Sequence, residues 1–317
     1  MSNYLNDVKP IAPATRERIE QAIADLEFVP NRAVKVMRGA RAPAIGYVVS
    51  DSPDPFFVEV GRGIEDVARE HGLVVVSCNT EGSREYERSY ITALAEMRVA
   101  GAIVMPSFER RDLPFRALRA SGAGVVVLRD WDDDTCSITF DDDEGGRLAA
   151  AHLIELGHRD LVFLGGPGGE HQIEHRFAGA KAALRDAGLD PESLRRIDAA
   201  SATVRDRVAL ADQVLALDPR PTAAFCASDS LALAMMNGLL RQGVQVPGDI
   251  SIVGFNDVVA AQLAVVPLTT IAVPQYALGE SAARLLLDEL QPEHRHEQIV
   301  LGPQLVVRES TGTPRPR

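Results

Sequence analysis

Two doubly wound α/β lobes behind a short helical arm are what this 317-residue sequence predicts. Three observations carry the expectation. From Ala44 onward, strand-length runs rich in Val and Ile alternate with helix-length amphipathic segments, as in a parallel sheet covered on both faces. The alternation restarts near Ile138, so one sheet does not use up the chain. The first 41 residues also differ in charge from the rest. They hold 7 Lys+Arg against 5 Asp+Glu, whereas the remainder holds 26 against 40.

The elements are taken in chain order. Residues 1–10 are too short to stand alone. Thr15–Phe28, TRERIEQAIADLEF, has helical period: Ile19, Ala22, Ile23 and Leu26 form one apolar stripe, and Pro13 sits near the first turn, where its missing N–H costs nothing. That stripe needs a partner which the preceding residues are too few to supply. Pro30 stops this helix. Asn31 is placed to cap a second one over Arg32–Arg38, which has no Gly or Pro inside. Arg32, Lys35, Arg38 and Arg41 recur every third residue; on a helix the first three share a side, with Val34 and Met37 on the other. No acid lies between Glu27 and Asp51. Two readings fit these residues equally. A short basic helix with an apolar tip suits a DNA minor groove, cations meeting phosphate and a wedge entering a base step. A solvated linker helix has the same composition.

In the first lobe the expected order is a strand at Ile45–Val49, a helix at Phe57–Glu70, a strand at Leu73–Ser77 and a helix at Arg84–Met97. A strand at Ala102–Met105, a helix at Leu113–Ala120 and a strand at Val125–Leu128 come next. The second lobe opens with a short strand, Ile138–Phe140, feeding the helix GRLAAAHLIELG, which Gly157 closes. LVFLGG reads as a strand and Arg176–Ala187 as a helix. Val204–Leu217 (helix), AAFCAS (strand), Ser230–Gln242 (helix) and ISIVGF (strand) complete it. A helix over Leu278–Leu290 and the short apolar segments IVLG and QLVV end the folded chain, with the tail TGTPRPR expected to be disordered.

Composition narrows the function. A net charge of −12 argues against a general nucleic-acid binder and confines any DNA contact to the N-terminal arm. The polar start MSNYLNDVKP lacks the basic and apolar regions of a signal peptide, and no run is long enough for a membrane helix. Cys78, Cys136 and Cys226 are odd in number and far apart, giving neither a disulfide framework nor zinc spacing, so a reducing, cytoplasmic setting is expected.

Two doubly wound lobes imply a cleft at their strand C-termini. The loops there, SDSPDPFF, LRDW, GGPGGEHQIEHR, CASDS and GFND, suit a small polar ligand with several hydroxyl or carboxylate groups. Competing motifs carry less. HQIEH, His171–His175, fits a zinc-protease pattern, but it comes after a Gly-rich loop at the cleft edge; a polar helix start that touches ligand is the plainer reading. GGPGG lacks the spacing of a dinucleotide or phosphate loop and reads as a strand-to-helix turn. DWDDD and DDDEGG read as solvated acids, the second at the positive end of a helix dipole. EHRHE reads as a surface loop. There is no GxSxG and no CxxC, and the three cysteines read as core.

The segments PATRERIEQAIADLEFVPNRAVKVMRG, DPFF, LGHRDLVFLGGP, RFAGAKAALRDAGL, FCASDSLALAMMNGLLRQGVQVPGDISIVGFND, PLTTI and LVVRESTG together resemble the lactose-repressor (LacI/GalR) family of bacterial transcription regulators, over almost the whole chain. The resemblance implies a periplasmic-binding-protein-like fold of type I, two Rossmann-like lobes joined by crossovers. It divides the chain into a partial helix-turn-helix headpiece (1–28), a hinge helix and linker (29–43), an N-terminal lobe (44–141 with 273–297), a C-terminal lobe (142–272 with 298–310) and a disordered tail (311–317). It implies operator DNA contact at Asn31, Arg32, Lys35, Met37 and Arg38, with Met37 the minor-groove wedge. It implies an effector pocket with Phe56 and Phe57 as aromatic wall, Arg176 as the forked donor, the polar pair Ser228 and Asp229, and Asn256 where the family usually has an acid. Gln172, Arg129 and Trp131 fall at the cleft edge, and Val273 stands where many members carry Gln. The alternative role for Arg176 is structural, pairing with an acid across the cleft.

The resemblance further implies a homodimer with a sugar or related metabolite as effector, and no enzyme, cofactor or metal. The sequence starts within the family's recognition helix, so the expectation is either a true start upstream or a regulator that has lost specific DNA binding. The intact hinge favours the first; for the residues given, DNA binding is expected to be weak and non-specific. The rival classes are a sugar-binding protein without DNA function, which should carry a signal peptide and no basic hinge, and an enzyme, which should place a nucleophile or acid–base set in the cleft.

Overall fold

The computed structural model describes residues 12–26, 41–107, 114–131, 134–166, 171–201 and 203–315. The DNA-contact candidates Asn31, Arg32, Lys35, Met37 and Arg38 lie outside these residues, as do residues 167–170, which include the last three of the GGPGG turn.

The arm contributes helix α1 (Pro13–Asp25), opened by its proline and ended at Leu26. None of its residues is buried, and Leu26 is 73% exposed. The apolar stripe read from the sequence therefore forms on a helix with nothing packed against it among the described residues.

The first lobe is built on β1 (Ala42–Val49), whose last six residues are all buried. It continues through α2 (Pro55–Glu70), β2 (Val74–Asn79), α3 (Arg84–Glu96), β3 (Val99–Val104), α4 (Phe115–Ala120), β4 (Gly124–Val127) and β5 (Cys136–Phe140). Asp54 and Ser83 start the long helices α2 and α3, each side chain accepting a backbone N–H of the first turn. The second lobe runs α5 (Asp142–Glu155), β6 (Leu161–Gly165), α6 (His171–Asp186), β7 (Arg195–Asp198), α7 (Val204–Leu215), β8 (Ala223–Cys226), α8 (Asp229–Arg241), β9 (Ser251–Asn256), α9 (Val259–Leu263) and β10 (Thr269–Ala272). The chain then makes α10 (Gln275–Glu289), β11 (Gln298–Leu301) and β12 (Gln304–Val306).

Among the described residues each lobe has a six-stranded sheet. The first is ordered β11-β5-β4-β3-β1-β2, and every pair in it is parallel. The second is ordered β12-β10-β9-β8-β6-β7 and is parallel except where β12 runs against β10. Helix α10 returns to the first lobe and packs on α2.

Three boundaries differ from the sequence reading. The strand at Ile138–Phe140, which periodicity puts at the start of the second lobe, lies in the first sheet between β4 and β11, on the side of residue 141 where the family division places it. Residues 298–301, expected in the second lobe, pair with β5 in the first; only β12 and the chain beyond it return to the second. Residues 311–315, expected to be disordered, are tied down. His158 bonds the Gly312 carbonyl at 2.8 Å and Thr222 Oγ1 at 2.9 Å, while Arg315 meets Asp249 at 2.6 Å. The chain therefore crosses between lobes at Asp141, at Val273–Pro274 and at Gly302–Pro303.

Two strands escaped the sequence. β7, RRID, is an edge strand with charged residues, where no apolar run is needed. β10 carries Thr269 and Thr270 fully buried, their hydroxyls satisfied by Thr311 at 3.0 Å and Asp229 at 2.6 Å, so its polarity hides a core strand.

Candidate functional site

Both sheets point their strand C-termini at one cavity of about 1100 Å³, at the upper end of ordinary ligand pockets. The first lobe lines it with the loops after β1 to β5, from Ser50 to Asp141; the second lobe adds Asp142 and Asp143 at the start of α5 and Gly166, Ala200, Ala227 and Asn256 after its own strands.

Its polar centre is made by two helices in very close approach. A Cβ on Gly146 of α5 would lie 2.0 Å from the Arg176 carbonyl, and one on Gly179 of α6 would lie 1.9 Å from the Asp143 carbonyl. Only glycines allow the two backbones to touch here, and that contact sets Asp142 against Arg176. Arg176 Nε donates to Asp142 Oδ1 at 2.8 Å and Nη1 donates to the Ala227 carbonyl at 2.6 Å; neither bond uses Nη2. The guanidinium stacks 3.6 Å over the Phe255 ring, and the residue is 7% exposed. Burial pushes the Asp142 carboxyl up, and the Arg176 charge pulls it back down.

In the same lobe as this pair, Asn256 ends β9 at φ +116°, a conformation costly for any residue with a side chain. Its Oδ1 is buried and has no protein hydrogen-bond partner among the described residues. Gln275, from the start of α10, donates to its backbone carbonyl and so ties the second lobe to the first. Phe56 and Phe57 pack edge to face at 5.1 Å, with Phe140 at 6.2 Å from Phe56, forming the apolar wall. The wall is held partly by Tyr47, whose buried hydroxyl donates to the Phe57 carbonyl at 3.1 Å.

The sequence candidates separate into two groups. Phe56, Phe57, Arg129, Gln172, Arg176, Ser228 and Asn256 all line the cavity. Gln172 Nε2 reaches Met105 Sδ of the other lobe at 3.9 Å, and Ser228 also caps α8 by accepting from Leu231 N–H at 3.2 Å. Asp229 does not face the cavity. It is fully buried, accepting from Thr270 at 2.6 Å and from Val258 N–H at 2.9 Å, and burial pushes its carboxyl up to about 6. It holds β10 and the turn into α9, so the expected polar pair is one serine lining the cavity and one structural acid. Trp131 packs at a tilt against Phe115 at 5.8 Å and lies 5.5 Å from the Arg129 guanidinium, outside the lining. Val273 is buried core.

HQIEH is also resolved by geometry. His171 and His175 both line the cavity, with their Nε2 atoms 3.2 Å apart and His175 Nδ1 2.5 Å from Asp143. Burial, then the charges of Arg129 and His175, hold the His171 imidazole below its usual range. Glu174 turns away to Arg196 at 2.8 Å, so the acid that a zinc-protease pattern requires is not with the histidines.

Sequence reasoning missed the partners. Asp142 sits in the acidic run DDDEGG that read as solvated, yet its side chain is only 13% exposed and is the arginine's partner. The partner acid comes from the neighbouring helix of the same lobe, not from across the cleft. Arg207 of α7 spans the lobes, its Nη2 3.2 Å from Asp51 Oδ2 after β1. A bare arginine in an amphipathic helix carries no signal for this. The two glycines flanking the pair, Gly146 and Gly179, are the one clue available beforehand.

Comparison with known proteins agrees with this architecture. A family profile described as "Periplasmic binding protein-like domain" matches residues 150–311. The HTH-type transcriptional repressor PurR of Vibrio parahaemolyticus is 33% identical over 312 residues, spanning 97% of this chain and 93% of that protein. The solved lac repressor dimer bound to operator and the anti-inducer ONPF is 27% identical with a TM-score of 0.83, covering 98% of this chain and 94% of that one. A LacI family regulator from Enterococcus faecium with bound ribose is 28% identical with a TM-score of 0.79, covering 86% of this chain and all of that one. With near-complete coverage at this identity, the chain belongs to the LacI family of transcriptional regulators.

Proposed function

We propose that this regulator takes a sugar between its lobes and passes the occupancy of that cavity to DNA through residues 29–43. The carrying observation is the donor and acceptor set at the cavity's centre: the guanidinium of Arg176, the carboxyl of Asp142 and the free Oδ1 of Asn256. A ring hydroxyl both donates and accepts, so it can use all three, while Phe56, Phe57 and Phe140 cover the apolar ring face. The ribose in the Enterococcus faecium structure supports this reading, and the operator in the lac repressor structure supports the DNA partner.

In this account residues 1–28 are part of a helix-turn-helix headpiece and 29–43 are the hinge. Arg32, Lys35 and Arg38 meet phosphate, Asn31 starts the hinge helix and Met37 wedges into the minor groove. The protein works as a homodimer in the cytoplasm, where its three free cysteines, all buried, stay reduced. Effector changes the angle between lobes about the three crossovers, which changes the separation of the paired hinges and so the affinity for operator. A sugar-binding protein without a DNA role fits the cavity equally but leaves the basic hinge unexplained.

Thermal-shift screening of a monosaccharide and disaccharide panel tests the binding half. At least one sugar raises the melting temperature of wild type and fails to raise that of Arg176→Ala. A panel with no shift, against a shift from a non-sugar metabolite, would replace the ligand class.

A further inference from the structure

We propose that Cys136, His294 and His296 form a second site, for a borderline-soft divalent metal of the zinc type, which clips the loop between α10 and β11 to the start of β5. The two histidines are 158 and 160 positions from the cysteine in sequence, and the fold alone brings them together. His294 Nε2 lies 2.9 Å from Cys136 Sγ, and His296 Nδ1 lies 3.5 Å from it; all three ligand atoms fall within 4.8 Å of one another. Zinc bonds of roughly 2.0–2.3 Å in tetrahedral geometry imply ligand-to-ligand edges of roughly 3.3–3.8 Å, so a cation fits with shifts below about 1 Å.

The surroundings are those of a metal site in three further respects. His294 is oriented from behind: its Nδ1 meets Asp288 Oδ2 at 2.7 Å, so Nε2 is the nitrogen turned to the sulfur. Its side chain is only 6% exposed although the loop around it is open, so the imidazole is seated inward. Asp288, Glu289 and Glu297 place negative charge around the sulfur, a field that opposes a bare thiolate and favours a dication. Arg119, the cation that reaches the same corner, is turned to Thr135 Oγ1 at 2.5 Å and the Asp134 carbonyl at 3.1 Å. On binding, the Cys136 thiol gives its proton to solvent and the sulfur bonds the metal; two imidazole nitrogens bond alongside, and water takes the fourth position.

The site is separate from the effector cavity. Cys136 begins β5, whereas Phe140 at the end of β5 lines the cavity. Its role is mechanical: α10 is the segment that returns the chain to the first lobe, and the metal fixes the loop after it to the sheet.

The test uses the full chain, without a histidine tag, stripped by chelator and titrated with Co2+ and then Zn2+. Wild type binds one Co2+ per chain with a near-ultraviolet thiolate-to-cobalt charge-transfer band, Zn2+ bleaches that band, and Zn2+ raises the melting temperature. Cys136→Ser removes the band, and His296→Gln, at an exposed position that leaves the fold untouched, weakens Co2+ binding at least tenfold. Absence of the band in wild type, its survival in Cys136→Ser, or full Co2+ affinity in His296→Gln overturns the proposal and leaves an ordinary thiol–imidazole hydrogen bond.

Discussion

Arg176→Ala separates the two roles of the arginine. In the folded protein its guanidinium holds Asp142 by Nε and the Ala227 carbonyl by Nη1, and its face lies on Phe255. Removing it strands a carboxyl that burial already pushes up. Breaking one side of a buried pair costs about 3–5 kcal/mol. At about 2–4 °C per kcal/mol for a domain of this size, the apo melting temperature falls by roughly 6–20 °C. With the guanidinium gone, Asp142 gains protons more readily, so the loss of stability is larger at pH 8 than at pH 5. Ligand binding suffers separately. Two charge-assisted hydrogen bonds of about 1.5–3 kcal/mol each amount to a loss of at least roughly 100-fold in sugar affinity. Asp142→Asn serves as the control, since it keeps the arginine and a neutral acceptor and should retain part of the affinity. Differential scanning fluorimetry gives the stability, and calorimetric titration with the sugar found by screening gives the affinity. An unchanged melting temperature would refute the buried-pair argument. An unchanged sugar affinity would remove Arg176 from recognition.

Two further substitutions probe the rest of the first lobe and the cleft. Arg207→Ala breaks the partly exposed contact with Asp51 across the cleft, worth at most about 1 kcal/mol; melting should barely move and sugar affinity should fall by less than about tenfold, and a loss as deep as that of Arg176→Ala would show that Arg207 grips ligand directly. Glu87 is buried, its carboxylate accepts the Ser107 N–H at 3.3 Å, and burial pushes it up to about 7 against the charges of Arg129 and Arg84. Its unfolded value is about 4.3, so the folded chain holds the proton longer and stability falls as pH rises between the two values. Glu87→Gln should therefore melt higher than wild type at pH 8 and nearly alike at pH 4, below both values; equal melting at both would place no ionisation burden on Glu87.

Much of this architecture was legible because parallel strands covered on both faces leave long apolar runs. Gly46 to Val49 or Ile252 to Phe255 can be found by eye, and their loops then mark the cavity. Each feature that escaped did so for a physical reason. Thr269 and Thr270 are core residues with polar side chains, which only their partners reveal. β11 pairs with a strand some 160 residues earlier, and an isolated four-residue apolar segment cannot say which lobe it joins. The acid beside Arg176 looked solvated because an acidic helix start is usually just that; the close glycine crossing of α5 and α6 turns it inward instead. Asp229 looked like a cavity residue because its neighbour Ser228 lines the cavity, but the first residue of α8 turns its side chain back to β10 and Val258. EHRHE looked like plain surface because its partner, Cys136, is on a distant strand.

The claim on which the account turns is that the cavity between the lobes is linked to residues 29–43, the segment proposed to contact DNA. The measurement is fluorescence-anisotropy titration of operator DNA at one fixed salt concentration, with and without saturating sugar, for wild type and Arg176→Ala. The account predicts a sugar-dependent change in wild-type DNA affinity, an equal and reciprocal change in sugar affinity when DNA is bound, and no change in the variant. Identical DNA affinity with and without a sugar that demonstrably binds wild type would contradict it.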